Sequence, residues 1–168
     1  TPDGSRPGVF YVNTYDLPSR PTYVMQSTFL HEALPGHHFQ LSLQNEDESL
    51  PRFRRHGGYT AYFEGWAMYA ETLGAELGLQ TDPYDRFGAL SDEALRAARL
   101  VVDTGLHTRG WTREQAIDYL LATTALGTAD AVAEVERYVA VPGQALGYKL
   151  GQLEFLELRD RAARRLGE

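Results

Sequence analysis

The sequence contains no cysteine, which excludes disulfides, thiolate metal ligands and a cysteine nucleophile. Lysine is nearly absent: Lys149 is the only one among 16 basic residues, and the arginine preference runs along the whole chain, as a coding bias would. No apolar run approaches the ~20 residues a membrane-spanning helix needs. Residues 1–8 lack the charged-then-apolar order of a signal peptide. The first residue is threonine, not methionine, so a processed product or a piece of a longer protein is expected, and the localisation stays open.

Positive charge is also in deficit. The 16 basic residues face 23 acidic ones, for a net charge of −7, and no basic stripe is present to meet phosphates. Nucleic acid is therefore not the expected partner. At 168 residues, with 43% hydrophobic and 23% charged residues, the chain has the composition of one globular domain with a real core.

Strand signals are scarce beyond residue 14. Residues 9–14 (Val-Phe-Tyr-Val-Asn-Thr) read as a short strand, and residues 1–22 as an extended or loop segment. Residues 23–168 read as one helical region. A helical pattern spans 23–34, breaks at Pro35-Gly36, resumes to Leu43 and stops in the acidic run 45–48. Further helices are predicted over 60–77 with Gly78 as cap, over 91–104, and from the capping-box sequence Thr112-Arg113-Glu114-Gln115 to about 125. Two more follow, over 130–139 and 144–166. The fold class is mainly α.

Three of the five histidines fall in one stretch, His31-Glu32-Ala33-Leu34-Pro35-Gly36-His37-His38. Imidazole is the commonest metal ligand, and the adjacent Glu32 is a ready proton acceptor. Zinc peptidases commonly carry two histidines four apart on one helix, which places both on one face. Here the second histidine lies six or seven positions on. On an unbroken helix a step of seven keeps the face but moves ~10 Å along the axis, too far for one ion. Pro35-Gly36 is placed to break the helix and swing a histidine back. Removing two residues there restores the usual spacing for His37, which is preferred over His38 as the second ligand. The alternative is a set of solvent-facing or capping histidines, with Glu32 an ordinary surface carboxylate.

Glu64 and Glu71 lie seven apart, hence on one helix face, among Tyr62, Phe63, Trp66 and Tyr69. A carboxylate in apolar surroundings is costly unless paired or bound to metal. One of the two then suits a third ligand, and the other suits a support that orients a ligand histidine. Solvated helix charges over an aromatic core are the plainer alternative.

The segment 31–40, His-Glu-Ala-Leu-Pro-Gly-His-His-Phe-Gln, resembles the signature of a large bacterial family, domain-of-unknown-function family 885. Segments 64–71, 100–107 and 142–149 resemble the same family, and together they span most of the chain. Family members are much longer, so the resemblance implies a C-terminal portion, with the N-terminal remainder of the protein completing the cleft. The family is regarded as zincin-like, which implies a gluzincin-type helical metallopeptidase domain and one zinc ion. By similarity to the thimet-oligopeptidase group and the thermostable metallocarboxypeptidases, His31, His37 and Glu64 would be ligands. Glu32 would then be the general base and Glu71 the support behind a ligand. Tyr148, in Gly147-Tyr148, resembles the tyrosine that donates to the tetrahedral intermediate in the oligopeptidases.

The expected activity is peptide hydrolysis by a metal-activated water, with Glu32 taking its proton and Tyr148 and His107 stabilising the oxyanion. Tyr148 is equally a candidate core tyrosine, and His107 a candidate helix-end cap. Arg159 has the chemistry to meet a substrate carboxylate, though Leu158-Arg159-Asp160-Arg161 reads better as a solvated face. Two rival readings are a non-catalytic fragment that binds metal or peptide, and a helical interaction module whose histidines are incidental.

Overall fold

The computed structural model describes residues 5–15 and 17–167, and these form helices and connections with no strand among them. Residues 9–14 take no regular structure, and no second strand is present among the described residues to complete a ladder with them. The expected N-terminal strand is thus corrected to an exposed irregular segment, whose Phe10 ring meets Phe29 edge-on at 6.4 Å.

Two single turns of 3-10 helix, Leu17–Ser19 and Thr22–Val24, lead into α1 (Met25–Glu32). Then come α2 (His37–Glu46), the one-turn α3 (Arg52–Arg55) and α4 (Thr60–Thr72). The longest helix, α5 (Pro83–Thr108), is followed by α6 (Arg113–Thr123), α7 (Thr128–Ala140) and α8 (Leu146–Leu166).

Local chemistry accounts for several boundaries. Asp82 accepts a hydrogen bond from the Tyr84 amide at 2.7 Å while Pro83 takes the first helical position. That start lies eight residues before the expected one at Ser91, so 83–90 is the helix's own first two turns. The capping box at Thr112 forms as its sequence predicts, with Thr112 and Gln115 bonded in both directions. By contrast, α4 ends at Thr72, not at Leu77. The Glu71 carbonyl is taken by the Gly74 amide at 3.2 Å and by the Gln80 side chain at 3.3 Å, which closes the helix early.

The core has two parts. Leu95, Ala98 and Val102 of α5 pack with Ile117 and Leu120 of α6 and with Val135 and Tyr138 of α7. The second part lies between α1, α4 and α8, where Leu30, Ala67, Met68 and Ala70 are fully buried. Helices α4 and α8 approach so closely that their glycines touch. A Cβ on Gly151 would lie 2.1 Å from the Ala61 carbonyl oxygen, and one on Gly65 would lie 2.4 Å from the Gly151 backbone. Glycine is what lets these backbones meet, and the contact sets α4, with its two glutamates, against the rest of the bundle.

Candidate metal centre

Helix α1 ends one residue after His31, and α2 begins at His37. Between them the Leu34-Pro35 peptide is cis, and Gly36 is buried against the end of α1. A Cβ on Gly36 would lie 1.9 Å from the His31 carbonyl oxygen, so no other residue fits without moving the backbone. The Trp66 indole of α4 donates to the Pro35 carbonyl at 2.8 Å and ties the turn down. The chain therefore doubles back, and the rings of His31 and His37 meet edge-on with centroids 4.7 Å apart.

Both imidazoles turn Nε2 toward Glu64. Its Oε2 lies 3.3 Å from His31 Nε2 and 3.2 Å from His37 Nε2. One ligand atom from each of His31, His37 and Glu64 fits within 4.8 Å of the others. Ligands of a tetrahedral zinc with bonds of ~2.0–2.2 Å stand ~3.4 Å apart, which matches the two nitrogen–oxygen separations. The donor set of two imidazole nitrogens and one carboxylate oxygen also suits that ion.

Behind His31 stands a buried polar support. Its Nδ1 donates to Glu71 Oε1 at 2.7 Å, and Ser27 Oγ donates to Glu71 Oε2 at 2.8 Å. Arg96 approaches Glu71 at 3.8 Å and pairs with Asp92 at 2.7 Å. Holding Nδ1–H in this way presents Nε2 to the cluster. Burial works to lower the His31 pKa, but the bonds to Glu64 and Glu71 outweigh it and carry the imidazole up to about 9. Burial likewise works to raise Glu64, but hydrogen bonds from His31 and His37 hold it well below the usual carboxylate range.

A family model described as bacterial protein of unknown function (DUF885) matches residues 1–168. The chain belongs to the DUF885 family. No curated protein matches it. A crystal structure described as a "putative lipoprotein" from Colwellia psychrerythraea is 50% identical and superposes with a TM-score of 0.94, covering 99% of this chain and 28% of that one. A second, described as a "putative lipoprotein of unknown function" from Shewanella oneidensis, is 26% identical with a TM-score of 0.76, covering 88% of this chain and 27% of that one. This DUF885 chain thus spans little more than a quarter of the length of the solved relatives it matches.

The other candidate residues of this DUF885 chain divide clearly. Glu32 closes α1, exposed to solvent beside His31. His38 turns away: its ring lies against Gly8, where a Cβ would come within 2.6 Å of it. His107, in the last turn of α5, bonds through Nε2 to the Tyr138 carbonyl at 3.1 Å, and shares no hydrogen bond with His31, His37 or Glu64. Arg159 pairs on the surface with Glu76 at 2.8 Å.

Tyr148 is brought to the cluster. Its buried ring stacks with His31, with centroids 6.3 Å apart and planes 15° apart. Its hydroxyl accepts from Arg137 at 2.9 Å and from Gln144 at 3.3 Å, and the hydroxyl proton has no acceptor among the described residues. Ser27, Arg96, Arg99 and Arg137 are site-shaping residues the sequence reading did not name. A faint signal existed for Ser27, which lies four residues before His31 and so on its face of α1. The arginines come from α5 and α7, and only the fold delivers them.

Proposed function

We propose that this chain carries the zinc-binding and catalytic residues of a peptide hydrolase of the zincin-like type. One observation supports the reading above others: two imidazole nitrogens and a carboxylate oxygen converge at 3.2 and 3.3 Å, with Glu71 bracing His31 from behind. His31, His37 and Glu64 would hold the ion, and Glu71 would keep the His31 ring in the orientation that ligation needs. Zinc bound there would lower the pKa of water toward ~7 and polarise a carbonyl.

The remaining steps belong to the chain. Glu32, adjacent to His31 in sequence and open to solvent, takes the proton of the attacking water and returns it to the departing amine. The Tyr148 hydroxyl, accepting two hydrogen bonds and donating none, is free to donate to the oxyanion that develops. His107 has no part in this scheme, because its Nε2 is bound to a backbone carbonyl.

Elemental analysis of the purified chain, beside His31→Ala, tests the metal. Peptide hydrolysis that is abolished by Glu32→Gln while zinc is retained tests the chemistry. Hydrolysis surviving Glu32→Gln would remove Glu32 from the base role.

A second reading has an observation of its own. An apolar groove of about 420 Å³ opens between α2, α4 and α8, lined by Phe39, Leu43, Leu50, Tyr62, Trp66 and Phe155. With the solved relatives over three times longer, this groove supports a remainder of the protein docking here and completing the cleft. The chain alone would then bind zinc without turnover. The lipoprotein descriptions of the relatives support an exported protein, and no described helix is long and apolar enough to cross a membrane.

A further inference from the structure

Beside Tyr148 two guanidinium groups compete for one ion-pairing carboxylate. Arg99 and Arg137 share a single carboxylate, Glu134. Arg99 takes most of it, with Nη2 at 2.7 Å and Nε at 2.9 Å from Oε2, and the Tyr138 hydroxyl donates to the same oxygen. Arg137 is left with Oε1 at 3.7 Å, beyond hydrogen-bond reach. Its Nη2 donates to Gln144 and to the Tyr148 hydroxyl, both at 2.9 Å. A guanidinium has five N–H donors, and Nη1 and Nε of Arg137 make no hydrogen bond among the described residues. The side chain is 41% exposed, unlike Arg99 at 6%.

This under-used cation is held in place and lies close to the candidate centre. Asp103 accepts the Gly143 amide at 3.0 Å and pins the connection that carries Gln144. The Arg137 guanidinium lies 5.9 Å from the Tyr148 ring centroid, and that ring lies 6.3 Å from the His31 ring. These separations place the guanidinium within about 12 Å of the His31 ring, and one residue of extended peptide spans ~3.3–3.6 Å, so a carboxylate up to three residues beyond a scissile bond held at the candidate centre comes within reach of Arg137.

We propose that Arg137 is a specificity-determining residue that binds a carboxylate of the peptide substrate on the departing side of the scissile bond, in the first instance its C-terminal carboxylate. This rests on the peptide-hydrolase reading and narrows its substrate class to short peptides cut near a free C-terminus. A local positive excess is needed for such a substrate, because the net charge of −7 disfavours anions at long range.

The test uses acetyl-tetraalanine as free acid and as C-terminal amide, with a second pair bearing a glutamate or a glutamine side chain on an amidated peptide. Binding to the metal-free chain is measured by calorimetry, and kcat/KM on the zinc-loaded chain. The expected result is a free acid favoured over its amide by roughly 10- to 100-fold in both readouts, as for a hydrogen bond between charged groups. Arg137→Gln should bring that ratio near unity, Arg137→Lys should keep part of it, and Arg159→Gln should leave it intact. The same dependence on Arg137 in the glutamate pair alone would uphold the carboxylate contact and move its source to a side chain. Equal treatment of both pairs, or a preference that survives Arg137→Gln, overturns the proposal. Hydrolysis without preference would sink this inference and leave the hydrolase reading standing. Acid-selective binding that is lost in Arg137→Gln, without hydrolysis, would keep the carboxylate contact and overturn both the hydrolase reading and the placement of that contact beside a scissile bond.

Discussion

Replacing Glu71 by glutamine separates the support of the site from the site itself. Glu71 is 6% exposed and accepts from His31 at 2.7 Å and from Ser27 at 2.8 Å. Glutamine has the same shape. Its carbonyl oxygen still accepts from His31 Nδ1, while its amide turns to Ser27, whose hydroxyl also accepts. What is lost is the charge. A hydrogen bond to an ionised partner contributes about 1.5–3 kcal/mol against about 1 for a neutral pair. A support behind a ligand histidine typically governs about 10- to 100-fold in metal affinity.

Zinc should therefore bind Glu71→Gln about 10- to 100-fold more weakly, measured by competition with a chelator of known affinity. The stability cost is smaller than for alanine, because Arg96 keeps Asp92 at 2.7 Å. A loss of about 1–3 kcal/mol leaves a domain of ordinary stability folded. Glu76→Gln is the contrast: Glu76 is an exposed partner of Arg159 and should change neither quantity. The reasoning fails if Glu71→Gln binds zinc within about twofold of the parent while remaining folded. His31 would then need no brace, and its bond to Glu71 would be packing alone.

Three more outcomes follow from the same geometry. His37→Ala should abolish stoichiometric zinc while His38→Ala keeps it, since of these two His37 faces Glu64 and His38 lies against Gly8; elemental analysis reporting the opposite would exchange their roles. The His31 imidazole is raised above its ordinary 6.5 to about 9, so its stabilisation of the metal-free chain is complete below pH 6.5 and lost as pH rises through 9. Zinc must displace that proton, so zinc affinity should climb across the same window, and a metal-free Tm that stays flat between pH 6.5 and 9 would count against a proton held there. Gly151→Ala should cost about 1–3 kcal/mol or more in denaturant unfolding, because its Cβ meets the Ala61 carbonyl oxygen at 2.1 Å. An unchanged midpoint would mean that the two helices part without cost.

How much of the fold was legible depended on whether its cause was local. The capping box at Thr112 and the break at Pro35-Gly36 are set by adjacent residues, and both occur where the sequence puts them. The end of α4 was misread because its cause is remote: Gln80, itself held by Gln26 at 2.8 Å, reaches back to the Glu71 carbonyl. The strand expected at 9–14 had β-branched and aromatic residues, but a strand needs a partner, and no part of the described chain offers one.

The site divides along the same line. Histidines around a Pro-Gly break and an acidic pair on one helix face are legible because metal ligation constrains residue type and spacing together. Sequence spacing even favoured His37 over His38, and the fold turns His38 to Gly8 and His37 to Glu64. Beyond Glu71, the layer behind the candidate ligands was not legible. Ser27 and Arg96 meet Glu71 from two other helices, with Asp92 paired to Arg96 behind it, and any of them read alone is an ordinary helix residue. The same holds for Arg137, whose meaning comes from what Arg99 takes from Glu134. Charge deficits of this kind are properties of a packed arrangement, since a guanidinium is free or spent only relative to neighbours drawn from distant parts of the chain. The candidate metal site is thus written in short motifs, while the carboxylate selectivity proposed for it rests on contacts that exist only after folding.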